Sequence, residues 1–198
     1  AKLLEQKQIK FIDVGISGGP DGALNGACLM VGGDRELFDF VEALFQDMAS
    51  PGAVAHFEGV GAGHFVKMVH NGIEYGMMQS IAEGFNILKN SPYELDLSEV
   101  ARVYNNGSVV ESRLVGWLES AFAKFGQDLK DLSGAVGFTG EGEWTVKTAK
   151  ELKVQAEIIE KSFEFRVKSQ NNPSFIGKIL TGIRNQFGGH SIESGKMT

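Results

Sequence analysis

One long stretch of helix-forming sequence, residues 64–90, constrains the fold of this chain more than any other feature. It reads HFVKMVHNGIEYGMMQSIAEGFNILKN, and the Asn-Ser-Pro run at residues 90–92 supplies a stop signal. A helix of about 27 residues would be about 40 Å long. Apolar side chains occupy most of its circumference, which is typical of a buried helix. We therefore expect a helix-dominated core built around this segment.

A stripe of polar side chains interrupts the apolar surface of this predicted helix. The stripe contains Lys67, His70, Asn71, Glu74 and Tyr75. Their spacing of i, i+3, i+4, i+7 and i+8 places them on one face. A solvated face with a Lys67–Glu74 or Lys67–Asn71 pair is one interpretation. A site is the other, because this mixture of groups suits acid–base chemistry on a polyhydroxy ligand.

The two sides of residue 60 have different secondary-structure patterns. Strand patterns at residues 9–17, 27–33 and 53–59 and a helical pattern at 35–49 precede the long helix. Helical patterns follow it at 95–107, 112–126, 145–154 and 155–169, with Ser98 as the expected N-cap of the first. The sequence thus predicts a mainly α chain: residues 1–60 as the remnant of an α/β domain and residues 61–198 as an all-helical domain. Because an α/β domain normally opens with a strand and its phosphate-binding turn, we expect that the chain starts in mid-domain.

Two glycine-rich turns are candidate ligand sites. Ile16-Ser17-Gly18-Gly19-Pro20 ends a predicted strand, where free N–H groups beside a serine hydroxyl could cradle a carboxylate; a turn that simply needs glycine is the simpler interpretation. Residues 59–64, GVGAGH, resemble a dinucleotide fingerprint, but His64 occupies its third glycine position. We interpret this second turn as the entry to the long helix.

Charge and cysteine content narrow the function further. A net charge of -6 with acidic and basic residues intermixed argues against nucleic acid as a partner. The single cysteine, Cys28, excludes an intrachain disulfide and indicates neither a metal site nor a secreted protein. No apolar run approaches the roughly 20 residues of a membrane helix, so we expect a cytoplasmic protein that does not enter membranes.

Four motifs resemble those of the decarboxylating 6-phosphogluconate dehydrogenases. GHFVKMVHNGIEYG at residues 63–76 is similar to the family signature, and residues 16–33 resemble its substrate loop and the strand that follows. GEGEWT at residues 140–145 resembles G-x-G-x-W-T, and RNQFGGH at residues 184–190 resembles the C-terminal R-x-x-F-G-x-H. The resemblance covers the whole chain in order, and it is to the compact bacterial branch of the family.

The resemblance implies an activity and a role for each matching residue. The activity is oxidation of 6-phosphogluconate with NAD or NADP, NAD being favoured, followed by decarboxylation to ribulose 5-phosphate. Lys67 would be the general base and Glu74 the acid, roles that need a neutral lysine and a protonated glutamate, both favoured by burial. The implied substrate-binding residues are Ser17, Gly18 and Gly19 for the carboxylate, His70 and Asn71 for the hydroxyls, and Tyr75, Thr145, Arg166, Arg184 and His190 toward the phosphate end. The family also implies a homodimer or higher oligomer, in which the tail would enter the neighbouring subunit's site.

The sequence departs from the family pattern in two ways. The dinucleotide fingerprint is absent, so we expect this chain alone to be inactive. Glu143 stands where the long family members have a phosphate-binding lysine, for which Arg166 or Lys168 could substitute. Two alternatives stay open: another β-hydroxyacid dehydrogenase, such as one acting on 3-hydroxyisobutyrate, and a non-catalytic helical dimerisation fragment.

Overall fold

The computed structural model describes residues 1–193, which fall into two compact units, residues 1–71 and residues 72–193. Residues 194–198, the end of the predicted tail, lie outside the described residues. In chain order the elements are α1 (Lys2–Glu5), β1 (Asp13–Ser17), α2 (Gly19–Asn25), β2 (Ala27–Gly33), α3 (Arg35–Met48), β3 (Ala49–Glu58), α4 (Ala62–Lys89), α5 (Leu97–Tyr104), α6 (Arg113–Phe125), α7 (Glu141–Glu151), α8 (Glu157–Ser169) and α9 (Phe175–Gly188).

The first unit contains a three-stranded sheet in the order β1-β2-β3. Strand β1 pairs antiparallel with β2, with Asp13 opposite Gly32 and Ser17 opposite Cys28, whereas β2 and β3 are parallel and joined by α3. The central strand β2 is almost wholly buried, as expected for an apolar run between two neighbours. Helix α3 covers it with Phe38 and Phe45, which pack on Leu29 and Val31.

In the part of the chain that the structure describes, the regular elements of the second unit are all helices. Its core joins α4, α5, α6 and α9 through side chains that are all buried: Met78, Ala82, Phe85, Leu97, Ala101, Leu114, Leu118, Phe122, Ile179, Leu180 and Ile183. Serine or aspartate caps begin three of these helices, with Asp96 before α5, Ser112 before α6 and Ser174 before α9. The mainly α prediction therefore describes this unit, and the small sheet precedes it.

Several element boundaries differ from the predictions. Residues 19–25 form the short helix α2, with Pro20 in its first turn, where a bare turn was expected. The α5 cap is Asp96 instead of Ser98, because the aspartate side chain reaches the N–H groups of Ser98 and Glu99. Helix α7 begins at Glu141, so the GEGEWT motif lies in its first turns, and α9 was not predicted.

Within residues 1–193, no helix is both long and apolar enough to cross a bilayer. Nor does that part of the chain bring together three His, Cys, Asp or Glu side chains as a metal site would require.

Candidate active site

In the first unit, the buried carboxylate of Asp13 holds the start of α4. It accepts hydrogen bonds from the backbone N–H of Gly61, from the backbone N–H of His64 at 2.7 Å, and from His64 Nδ1 at 2.9 Å. These donors include N–H groups that a helix start otherwise leaves without partners. Burial raises the pKa of Asp13, but the hydrogen bonds from His64 and Gly61 lower it by more, so the carboxyl pKa lies below its usual value.

Strand β1 and helix α4 contact each other at three successive levels. Asp13 binds His64 at the first level, and Gly15 lies against Lys67 at the second, where a Cβ on residue 15 would overlap the Cβ of Lys67. At the third level, Ser17 Oγ lies 3.3 Å from His70 Nε2. Alternate residues of a strand share one face. This face therefore fixes the position of Lys67 relative to the Ser17 turn.

Lys67 is the centre of a half-buried polar cluster. Its Nζ donates to Asn71 Oδ1 at 2.6 Å and lies 3.2 Å from His70 Nδ1, and the same Nδ1 is 3.0 Å from Asn71 Oδ1. Hydrogen bonds thus connect four of the predicted residues, which are Ser17, Lys67, His70 and Asn71. Such a cluster can hold adjacent hydroxyl groups beside an amine that accepts a proton.

The two glycine-rich turns have different properties. Gly18 and Gly19 both have positive φ, 138° and 58°, which strains any residue with a side chain. The Ser17 turn therefore needs both glycines for its shape. In the turn at residues 59–64, the N–H groups of Gly61 and His64 are bound by Asp13, and the N–H of Ala62 donates to Gly59. Those amides are not available to a pyrophosphate.

In the second unit, Arg166 is buried beneath Tyr75. Arg166 is 2% exposed, and its guanidinium carbon lies 3.4 Å from the centre of the Tyr75 ring. Burial lowers the pKa of Arg166 to about 10, so it remains charged at pH 7. Arg166 and Lys168 were the two cations expected to replace the missing lysine. Of these, Arg166 lies beside Tyr75. Lys168 and Glu143 are exposed, and Lys168 pairs with Glu164.

A second arginine adds to the positive charge of this region. Arg184 is 8% exposed, and burial lowers its pKa, an effect opposed by the charges of Tyr75, Glu74 and Glu141. The pKa of His190 is lowered by burial and then by the charges of Arg184 and Arg166. The two arginines and the histidine therefore interact electrostatically within one region of the unit. The carboxylates Glu74 and Glu141 balance part of the positive charge there.

The first turns of α7 pack closely on α4. A Cβ on Gly72 would overlap Thr145, and one on Gly142 would overlap the Tyr75 ring. Thr145 is buried, and its hydroxyl donates to the carbonyl of Glu141 at 3.0 Å. The glycines of GEGEWT and of the long helix thus permit the contact that brings Thr145 to α4.

Sequence reasoning missed two residues of these clusters, Asp13 and Glu141. Asp13 carried a usable signal, since Asp13, Gly15 and Ser17 alternate along one strand and must share a face. The sequence offered no comparable signal for Glu141, because an acidic residue in the first turn of a helix is common. Its buried Oε2 accepts no hydrogen bond from the described residues.

Comparison with known proteins shows which family the chain resembles. Residues 63–176 match the family described as "6-phosphogluconate dehydrogenase, C-terminal domain", and residues 1–69 match the "NAD binding domain of 6-phosphogluconate dehydrogenase". The chain belongs to the 6-phosphogluconate dehydrogenase family. The motifs that predicted this membership lie within the matched segments, except for the RNQFGGH motif, which follows them.

Two curated relatives and one solved structure show the extent of the similarity. The Bacillus subtilis (strain 168) protein YqeC is 46% identical over 190 residues, which are 96% of this chain and 64% of that protein. The NAD(+)-dependent, decarboxylating 6-phosphogluconate dehydrogenase of Haloferax volcanii is 40% identical over 183 residues, 92% of this chain and 61% of that protein. This chain therefore spans less than two thirds of either relative. The Plasmodium falciparum 6-phosphogluconate dehydrogenase structure superposes with a TM-score of 0.76 at 30% identity, covering 85% of this chain and 38% of that one.

A more distant structural neighbour shows only a shared fold. The 3-hydroxyisobutyrate dehydrogenase of Salmonella typhimurium has a TM-score of 0.66 at 17% identity, covering 90% of this chain and 62% of that one. This likeness gives no support to 3-hydroxyisobutyrate as a substrate.

Proposed function

We propose that the protein containing this chain catalyses the oxidative decarboxylation of 6-phospho-D-gluconate to ribulose 5-phosphate and CO2, with reduction of NAD(P). The observation that carries the proposal is the composition of two clusters, one around Lys67 and one around Tyr75. One offers an amine among hydroxyl-binding groups, and the other offers two buried arginines beside Tyr75. A phosphorylated sugar acid needs both kinds of group.

The cluster of the first unit accounts for the oxidation step. Lys67, as the neutral amine, takes the proton of the substrate 3-hydroxyl, while His70 and Asn71 hold the neighbouring hydroxyls. The Ser17 hydroxyl and the turn at Gly18 and Gly19 bind the carboxylate. Hydrogen bonds to Asn71 and to His70 hold the lysine amine in position before the substrate arrives.

The second step releases CO2 and requires an acid. Once carbon 3 is a ketone, the bond to the carboxylate breaks, its electron pair moves towards the ketone oxygen, and protonated Lys67 returns its proton to that oxygen, which gives an enediol. Glu74 then protonates the carbon that carried the carboxylate while Lys67 takes the proton of the enediol hydroxyl, which gives ribulose 5-phosphate. The half-buried position of Glu74 is compatible with this role, and Arg166 and Arg184 are close enough to interact with its charge.

The cluster of the second unit would bind the phosphate. Two buried guanidinium groups repel each other, and their desolvation is costly. A dianion between them would offset both costs through charge-assisted hydrogen bonds of roughly 1.5–3 kcal/mol each. Tyr75, Thr145 and His190 would complete this end, and Arg166 would take the place of the lysine that the long family members have at the position of Glu143.

A nicotinamide cofactor would supply the hydride acceptor. The turn at residues 59–64 does not fit a pyrophosphate, because Asp13 already binds its amides. We therefore assign no cofactor-binding residue to that turn. We propose NAD as the preferred form, since the Haloferax volcanii relative is named as NAD(+)-dependent at 40% identity.

Steady-state turnover of the complete protein tests this function. 6-Phosphogluconate, gluconate and 3-hydroxyisobutyrate should each be supplied with NAD and with NADP. We expect reduced cofactor and CO2 in equal amounts from 6-phosphogluconate, and a kcat/KM for gluconate lower by at least 10²-fold, the order expected for losing two charge-assisted contacts. Preference for 3-hydroxyisobutyrate, or no turnover by a folded protein that binds NAD, would contradict the proposal.

A further inference from the structure

The start of helix α4 lies directly on the sheet of the first unit, with glycines at the points of closest approach. A Cβ on Gly63 would overlap the carbonyl oxygen of Met30 in β2, and one on Gly32 would overlap the backbone nitrogen of Gly63. A Cβ on Gly15 in β1 would overlap the carbonyl oxygen of Gly63 as well as the Lys67 side chain. Because the two backbones are in contact, a small displacement of the helix start changes how the whole helix lies on the sheet.

The carboxylate of Asp13 joins the two backbones across this contact. Asp13 is 5% exposed and lies opposite Gly32 in the β1–β2 pair, where a Cβ on residue 32 would overlap its Oδ1. Oδ1 accepts a hydrogen bond from the N–H of Gly61, and Oδ2 accepts one from the N–H of His64 and lies 2.9 Å from the ring Nδ1 of that residue. An ionised carboxylate offers two acceptor oxygens and no donor, whereas an amide would turn an NH₂ group toward one of these N–H groups.

The position of the Lys67 amine follows from that of the helix start. Lys67 is one turn beyond His64 on the same face of α4, and the hydrogen bonds of its Nζ to Asn71 and His70 lie within the same helix. The amine therefore moves with α4. The Ser17 turn ends β1, so its distance to the amine depends on how α4 lies on β1. A misplacement of about 1 Å in a reacting group can cost about 10²-fold in rate.

We propose that Asp13 is a positioning residue for Lys67. Its carboxylate holds the start of α4 on β1 and thereby sets where the amine meets a substrate carried by the Ser17 turn. Asp13 acts through the helix and is assigned no contact with the substrate, so its effect falls on the proton-transfer step and not on binding. The identity of Lys67 as the base rests on the proposed function. The hold of Asp13 on α4 does not.

Single-turnover kinetics of the complete protein distinguish positioning from a role in stability alone. At saturating 6-phosphogluconate, we expect Asp13→Asn to lower the rate constant of the first cofactor reduction by about 10- to 100-fold, while KM changes by less than about threefold. A role in stability alone would lower the amplitude of this phase, because fewer molecules are folded, and would leave its rate constant unchanged. Asp96→Asn, at a capping carboxylate of α5 with two backbone donors, is the matched control and should keep the wild-type rate constant.

A second variant decides the outcome if Asp13→Asn does not fold. Asp13→Ser replaces the carboxylate by a short hydroxyl, which turns no NH₂ group toward the N–H of Gly61 or His64. It should lower the same rate constant. A wild-type rate constant in either folded variant, with or without a loss of amplitude, would overturn the proposal.

Hydrogen exchange tests the hold on α4 without using activity. In the complete protein, Asp13→Asn should raise the exchange rates of the backbone amides at residues 62–70 by about 5- to 30-fold, whereas those at residues 98–104 in α5 should stay unchanged. Unchanged exchange at residues 62–70 would overturn the hold of Asp13 on α4. If the wild type did not turn over 6-phosphogluconate, the proposed function would fail, and this measurement would still decide whether Asp13 positions the helix.

Discussion

At the scale of single residues, the hydrogen-bond partners of Lys67 support its proposed role as the base. Its amine is held by Asn71 and lies beside His70, on the face of α4 that contacts β1. We predict that Lys67→Met in the complete protein lowers kcat by on the order of 10²–10⁴-fold, because the 3-hydroxyl loses its base, while the substrate still binds. Lys89→Met, at the far end of the same helix, is the matched control and should keep wild-type kcat. Stopped-flow reduction of the cofactor measures both.

Glu74 should act after the hydride has left. We predict that Glu74→Gln leaves the first reduction of cofactor close to the wild-type rate and slows the appearance of ribulose 5-phosphate, because the amide cannot protonate the enediol. A rapid-quench experiment separates these two events. Equal rates of both products in the variant and the wild type would mean that another group is the acid.

The buried Arg166 should lower the free energy of unfolding of the ligand-free protein. It should contribute to binding when 6-phosphogluconate is present. We predict that Arg166→Met leaves the free energy of unfolding of this chain unchanged or raises it, since a desolvated cation is removed. In wild type, 6-phosphogluconate at 100 times its Kd should add about 2.7 kcal/mol, and the variant should lose this gain. Urea unfolding with and without the ligand gives both values. Arg102→Met, at an exposed arginine paired with Glu99, should keep the ligand effect.

At the scale of elements, the contact between β1 and α4 determines where the base lies. We predict that Asp13→Asn lowers the free energy of unfolding at pH 7 by about 1–2 kcal/mol, because the amide offers one acceptor oxygen and no negative charge to the three donors at the start of α4. Asp34→Asn, at the exposed cap of α3 with one donor, should cost less.

The pH dependence of this difference identifies the carboxylate. The pKa of Asp13 is lowered in the folded chain, so its contribution is complete above the unfolded value near 3.8 and is lost as the pH falls through the folded value. The difference between wild type and Asp13→Asn should therefore shrink below pH 3.8. A difference that stayed constant there would show that charge on Asp13 does not stabilise the contact.

The sequence predicted the bounds of an element well where the hydrophobic periodicity and the stop signal agreed. The long helix was predicted over residues 64–90 and is Ala62–Lys89, because an apolar pattern with a proline stop allows little else. Helix α9 was missed because glycines at 177, 182 and 188 weaken its local signal, and burial of Ile179 and Ile183 stabilises it instead. Local propensity does not report such tertiary burial.

At the scale of the whole molecule, the sequence predicted which residues make up the candidate site better than it predicted the contacts between them. The stripe on α4 was predicted from spacing, and the roles of the Ser17 turn and the two arginines were predicted from the family resemblance; all of these roles stay predictions. The cap by Asp13 and the contact of Gly15 with Lys67 depend on how a strand and a helix meet, which spacing along the chain does not reveal. The source of the tail, one subunit or two, likewise depends on packing.

We propose that the base, the acid and the phosphate site of a decarboxylating dehydrogenase all lie in this chain. The most direct measurement follows the fate of carbon 1, by supplying the complete protein with 6-phosphogluconate labelled with ¹³C at that position in D₂O. We predict that the label leaves entirely as CO2 and that the ribulose 5-phosphate formed carries one deuterium at its carbon 1, delivered by Glu74. Retention of the label in an oxidised sugar acid, or turnover without deuterium incorporation, would contradict this account.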